Sequence, residues 1–183
     1  MSRLITNAIR STSASADAIT LDGSGNATFP ANVTCSGTAS GFGGITMADQ
    51  WRVTSEFTFS ASGAYITSNW ERVDTDGFGQ IGTGMTESSG VFSFPSTGIY
   101  LINYFGTGRR NSGNDRFGVI DLFTTLDNSS YAQAASFYVC APSQYNRNTG
   151  SLSFIFDVTN VSTHKFKLFQ YEAHGTLVFQ GHT

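Results

Sequence analysis

Ile99-Tyr100-Leu101-Ile102-Asn103-Tyr104-Phe105 is the stretch that decides how this chain folds. In an extended backbone, successive side chains point to opposite faces. Tyr100, Ile102 and Tyr104 therefore share one side, and Ile99, Leu101 and Phe105 share the other. Both sides are apolar. Phe154-Ile155-Phe156 has the same character, and Lys165 to Tyr171 offers Phe166 and Leu168 on one side and Phe169 and Tyr171 on the other. A lone antiparallel sandwich usually leaves one face of each sheet to water and alternates cleanly, so strands apolar on both sides imply a second covering layer. The simplest cover is a neighbouring copy of the same chain in a closed symmetric oligomer. The interface expected from this reading draws on Tyr100, Ile102, Tyr104, Ile155, Phe169 and Tyr171.

Composition removes helices as the alternative cover. Only 13% of the 183 residues are Asp, Glu, Lys or Arg, so solvent-facing helix formers are scarce. Against them stand 16 Phe, 7 Tyr, 2 Trp and 20 Gly, a mixture of strand-filling and turn-making residues. The expected class is all-β. Turn signals at Ser62-Gly63, Asp76-Gly77, Ser89-Gly90, Thr97-Gly98, Asp127-Asn128 and Asn146 to Gly150 separate short strand candidates. These are Trp51 to Thr58, Val91 to Phe94, Ile99 to Phe105, Val119 to Leu126, Ala134 to Val139, Leu152 to Val158, Lys165 to Tyr171 and Leu177 to Gln180. Their number suits an antiparallel jelly-roll sandwich.

A net charge of -3 gives no basic face for phosphates, so no nucleic-acid partner is expected. No apolar run is long enough to span a bilayer as a helix, and Met1 to Ala18 lacks the apolar middle of a signal peptide. Membrane insertion is not expected either. Cys35 and Cys140 are too few for a disulfide scaffold and read as buried small hydrophobes. The four Asn-x-Ser/Thr tripeptides, at Asn26, Asn32, Asn128 and Asn160, are what a chain rich in these residues produces by chance.

The chain changes character near Gly41-Phe42-Gly43-Gly44, which divides it into residues 1–44 and 45–183. The first part is poor in large apolar side chains. Ile19 and Leu21, Ala27 and Phe29, and Val33 and Cys35 alternate with polar residues around Asp22-Gly23-Ser24-Gly25-Asn26. Such a segment cannot form its own core against the roughly 1–2 kcal/mol per residue that ordering costs, and needs copies of itself or a docking surface. Leu4, Ile5, Ile9, Ile19 and Leu21 are its expected anchoring residues.

Ser89-Gly90-Val91-Phe92-Ser93-Phe94-Pro95-Ser96-Thr97-Gly98-Ile99-Tyr100 resembles the G-x-F-x-x-P-x-x-G-x-Y strand pair of C1q-like and TNF-like jelly rolls. Asp127 to Tyr131, Gly150 to Asp157 and Leu177-Val178-Phe179 agree with it, so the resemblance covers roughly Met47 to Thr183. It implies homotrimers packed around aromatic residues on a threefold axis. Ala18 to Thr34 resembles the stem segments of bacteriophage tail fibres, in which three chains wind together. Ile66 to Asp74, with Phe78 to Met85, is similar to C1q-like virion proteins of marine and cyanobacterial phages. No collagen-like tract is present, unlike in animal C1q proteins. The resemblance implies a virion protein that is structural or adhesive: a trimeric tail fibre acting in adsorption to the host surface, or a capsid or tail decoration protein with no receptor.

Few residues suggest chemistry. His164, His174 and His182 lack ligand-pair spacing and read as exposed turn residues, and no nucleophile motif is present. Glu71, Asp74 and Asp76 are close enough in sequence to be weighed as a glycan-cleaving pair, and Asp74, Asp76 and Asp115 as calcium-binding loop oxygens. Solvated turn acids are the simpler reading, so neither an enzyme nor a cofactor is expected. Arg109, Arg110, Asn111 and Arg116 in one loop, with Tyr145 and Arg147 in another, are the candidate recognition residues for a host glycan or protein.

Overall fold

The computed structural model describes residues 7–30, 33, 44–112, 117–141, 143–172 and 177–181. The chain divides into two compact units, Met1–Gly44 and Ile45–Thr183. In the first, β1 (Ala8–Ile9), β2 (Ile19–Leu21) and β3 (Ala27–Thr28) form a small antiparallel sheet in which Ile9 faces Ile19 and Leu21 faces Ala27. The β2–β3 turn is held by Asp22, whose carboxylate accepts hydrogen bonds from the Ser24 and Asn26 amides and the Asn26 side chain. Gly25 supplies the positive φ of 84° that this turn needs. None of the described residues of this unit is buried.

The second unit is all-β with antiparallel pairing throughout. Its strands are β4 (Trp51–Val53), β5 (Phe57–Thr58), β6 (Ala64–Tyr65), β7 (Trp70–Arg72), β8 (Thr86–Ser88), β9 (Val91–Ser93), β10 (Gly98–Arg110), β11 (Phe117–Thr125), β12 (Ala132–Cys140), β13 (Arg147–Val158), β14 (Lys165–Glu172) and β15 (Leu177–Phe179). One sheet runs β13-β10-β15-β5; the other runs β12-β11-β14-β9-β8, with β6 also paired to β14, and β4 pairs separately with β7. All eight expected strands are found. The Trp51 to Thr58 candidate is split in two, because β4 pairs with β7 while β5 pairs with β15. The short strands β6, β7 and β8 carry no alternation long enough to have been read from sequence.

Side chains from both sheets meet in one core. Tyr104 and Phe156 of the first sheet touch Phe137, Phe94 and Phe166 of the second sheet and its neighbouring loop, directly or through Phe94. The aromatic cluster is continuous from Trp51 and Trp70, both edge-on to Phe92, to the Phe92–Phe166 stack with ring centroids 4.8 Å apart. Such contacts add to the burial of large apolar surface.

Two strand glycines make room for this packing. Gly106 and Gly150 are opposite one another in the β10–β13 ladder, and the Phe137 ring lies over them. A Cβ on Gly150 would stand 2.1 Å from Phe137 Cδ2, so a side chain there must displace the ring. Gly150→Ala is expected to destabilise the fold by about 1–3 kcal/mol, the usual cost of overpacking. Urea unfolding checks this, with the double variant Gly150→Ala/Phe137→Leu regaining part of the loss.

Candidate functional site

The six residues expected to share one interface lie on three different surfaces. Tyr100, Ile102 and Tyr104 point into the sandwich and pack against the core. Tyr100 lies 4.6 Å from Phe94 between ring centroids and donates its hydroxyl hydrogen bond to the Ser96 carbonyl. The Tyr104 hydroxyl is buried with no partner, and burial pushes its pKa up. Ile155 is on the outer face of the four-stranded sheet, whereas Phe169 and Tyr171 are on the outer face of the other sheet. Alternation tells which residues travel together on a strand, and leaves open which of the two sets turns inward. Here the inward set of β10 is the one assigned to the interface from sequence.

The opposite set of β10 is the exposed one. Ile99, Leu101 and Phe105 are 69%, 64% and 71% exposed, and Ile155, directly across the ladder from Leu101, is 68% exposed. This is an apolar stripe on an otherwise polar surface, in which Asn103 accepts a 2.7 Å hydrogen bond from Ser153. Scattered single apolar residues on a surface are ordinary, but an aligned set on one strand and its neighbour is a candidate association surface.

Of the candidate loop residues, Arg109 and Arg110 lie in strand β10 and Arg147 in strand β13, because the β10–β13 ladder runs further than the sequence suggests, while Asn111 and Tyr145 lie just beyond the strands. Arg109 and Arg147 are register partners at the end of the β10–β13 ladder. Tyr145 donates its backbone N–H to the Arg110 carbonyl at 2.8 Å, and Gln144 donates its side-chain N–H to the Asn111 carbonyl. Tyr145 is 64% exposed and has a φ of 66°, a left-handed conformation uncommon for a bulky residue. Arg109 forms a 3.2 Å ion pair with Glu56 and also reaches Asn111, while Arg147 donates to Gln180. Arg109 is therefore paired with an acid, whereas Arg147 is held by a neutral amide and keeps its charge. Arg116 lies outside the described residues, as do Leu4 and Ile5 of the expected anchor. The remaining anchor residues, Ile9, Ile19 and Leu21, all sit in the β1–β2–β3 sheet, with Ile9 and Leu21 exposed.

The acids resolve into structural roles. Glu71 and Asp74 share one cation, Arg52, at 2.8 and 2.7 Å. Asp49, unnoticed in the sequence, has a side chain that is only 2% exposed. It accepts from Arg72 Nε at 2.9 Å, Trp51 Nε1 at 2.9 Å and the Met85 amide at 2.7 Å. Arg72 continues to the Met85 carbonyl and lies over the Trp51 ring. Burial acts to raise the Asp49 pKa, but the hydrogen bonds from Arg72, Met85 and Trp51 together outweigh it and hold the carboxyl below its ordinary value. The group ties β4 and β7 to the segment before β8.

His164 is buried, contrary to the turn reading: its ring stacks on Phe156 and lies 3.1 Å from both the Thr159 and Thr163 hydroxyls. Cys140 is exposed rather than buried, because its position on β12 points away from the core, whereas Val139 beside it is fully buried. His174, His182, Cys35 and Asp115 lie outside the described residues. Among the described residues, no group of His, Cys, Asp and Glu is arranged to hold a metal ion, and no helix is long and apolar enough to cross a membrane.

No protein-family model matches this chain, and no curated protein is similar to it.

Proposed function

We propose that the protein is a non-enzymatic, homotrimeric virion appendage of a bacteriophage, a tail fibre or fibre-like spike that acts in adsorption to the host surface. Residues 45–183 serve as a C1q/TNF-like jelly-roll head, and residues 1–44 as an intertwined stem that attaches to other virion proteins. The observation that carries this reading is the exposed stripe of Ile99, Leu101, Phe105 and Ile155 on the outside of the four-stranded sheet. Three copies turning this stripe toward a common axis would remove it from water. The strand order supports a jelly roll, since β5 near the start of the second unit lies beside β15 at its end. The stem reading is supported by the absence of any buried residue among the described positions of the first unit, which leaves its apolar side chains to be covered by other chains.

Attachment then works through multivalency, with several weakly binding heads combining into one durable contact. The purified full-length protein, preincubated with host cells, is expected to reduce adsorption of the phage by tenfold or more. Unchanged adsorption, together with wild-type attachment by particles that lack the protein, would make it a decoration protein instead.

A further inference from the structure

We propose that the outer face of β11, β12 and β14 is a binding site for a neutral oligosaccharide. The site is on the sheet opposite the Ile99–Ile155 stripe, and apart from the proposed recognition loops. On this face the ladder register sets Val119 between Tyr138 of β12 and Tyr171 of β14. The two tyrosines are thus two strand spacings apart, about 9.6 Å, with only a short side chain between them. Phe117 packs on Tyr138 with ring centroids 5.6 Å apart and extends that wall. One pleat further along, Asp121 accepts a 2.9 Å hydrogen bond from the Gln133 side chain. Together these residues line a groove of about 470 Å³, within the range of roughly 300–1,000 Å³ typical of small-molecule sites.

The chemistry of this lining selects the ligand. Tyr138 and Phe117 are 62% and 42% exposed, and Tyr171 is exposed as well. The negative face of an aromatic ring attracts the weakly positive C–H face of a pyranose, and rings held on a sheet lose little conformational freedom on binding. Asp121 oriented by Gln133 presents a carboxylate acceptor beside an amide that both donates and accepts, a pattern that neighbouring hydroxyls on one sugar can satisfy. The carboxylate also disfavours anionic polymers. A second copy of this chain is a poorer occupant, because covering the face with protein would desolvate the Asp121–Gln133 pair.

The proposal rests on the adsorption reading only for the source of the sugar, which would then be a host-surface glycan. The full-length protein is titrated calorimetrically with maltohexaose, cellohexaose and chitohexaose, and with an alginate hexamer as the anionic probe. At least one neutral probe is expected to bind, with affinity at least tenfold above that for alginate. Tyr138→Ala and Asp121→Asn should each weaken it by tenfold or more, while Tyr145→Ala in the loops leaves it unchanged. Absence of binding by all three neutral probes, stronger binding of alginate, or sensitivity to Tyr145→Ala without sensitivity to Tyr138→Ala would overturn the proposal. A change in light-scattering mass on Tyr138→Ala would do so too, by assigning the face to subunit contact. Adsorption competition with the Tyr138→Ala protein separates this site from the broader reading. If wild-type and variant protein compete equally, the groove is not the receptor site although the fibre still binds host. If neither competes, the adsorption reading fails while the sugar titration still decides the groove.

Discussion

Leu101→Lys is expected to convert the proposed trimer into single chains without unfolding them. Leu101 is largely exposed in the single chain and faces Ile155 across the β10–β13 ladder, so a lysine there costs the isolated sandwich little. In the proposed assembly the same change would remove three buried leucines, each worth about 2 kcal/mol, and bring three ammonium groups close together. The lost burial alone, about 6 kcal/mol, corresponds to a dissociation constant raised on the order of 10⁴-fold. Light scattering at micromolar concentration checks the mass, and circular dichroism checks that the sheets persist. Tyr104→Phe is the matched control on the other side of the same strand. It removes a buried hydroxyl that has no partner and is expected to leave the assembly unchanged while raising stability by about 1 kcal/mol. If Leu101→Lys stays trimeric, the threefold contact is not on this face.

The second large effect is expected at Asp49. Asp49→Ala leaves the Arg72 guanidinium, the Trp51 indole N–H and the Met85 amide without their common acceptor. Removing one partner of a buried, hydrogen-bonded ion pair usually costs 3–5 kcal/mol. Because Arg72 is itself 35% exposed and can regain water, about 3 kcal/mol is expected. For a chain of this size that is a fall in melting temperature of roughly 6–12 °C. The effect has a defined pH dependence. The folded-state pKa of Asp49 is depressed, so its stabilisation is fully present above the unfolded value of about 3.9 and is lost as pH falls through the folded pKa. Urea midpoints of wild type and Asp49→Ala should therefore differ by a constant amount above about pH 5, and the difference should begin to shrink as pH falls below about 4. A difference that does not shrink at all between about pH 5 and about pH 3 would mean that Asp49 acts by packing rather than by charge.

Both predictions depend on positions that the sequence treats differently. The strands themselves are legible because their information is local. The apolar run Ile99 to Phe105, the aromatic run Leu152 to Val158, the run Lys165 to Tyr171 and the glycine and asparagine turns around them locate β10, β13 and β14, although β10 continues five residues further and β13 starts five residues earlier. The face of each strand is not local information. Tyr100, Ile102 and Tyr104 are as apolar as Ile99, Leu101 and Phe105, and nothing within β10 separates the sets. The distinction comes from Phe137 and Phe179, far away in sequence, and from Phe94 in the preceding turn, which meet the tyrosines and leave the other side bare.

The same limit applies to the sites. Arg109 and Arg147 are visible as loop residues, but their pairing at one ladder end, and the capture of Arg109 by Glu56, depend on strand register. Asp49 resembles any acid before a strand until Arg72 and Met85 reach it. The groove between Tyr138 and Tyr171 requires β12 and β14 to flank β11, although the alternation of Ala132 to Cys140 was there to be read.

What the sequence by itself determined, then, is the class of structure, the boundary near Gly44, and a surplus of apolar sheet, because composition and period-two patterning act through neighbouring residues. Only the tertiary structure decided which half of that surplus is core and which is surface. A side chain's burial depends on what packs over it, and in an antiparallel sandwich that partner comes from a distant part of the chain.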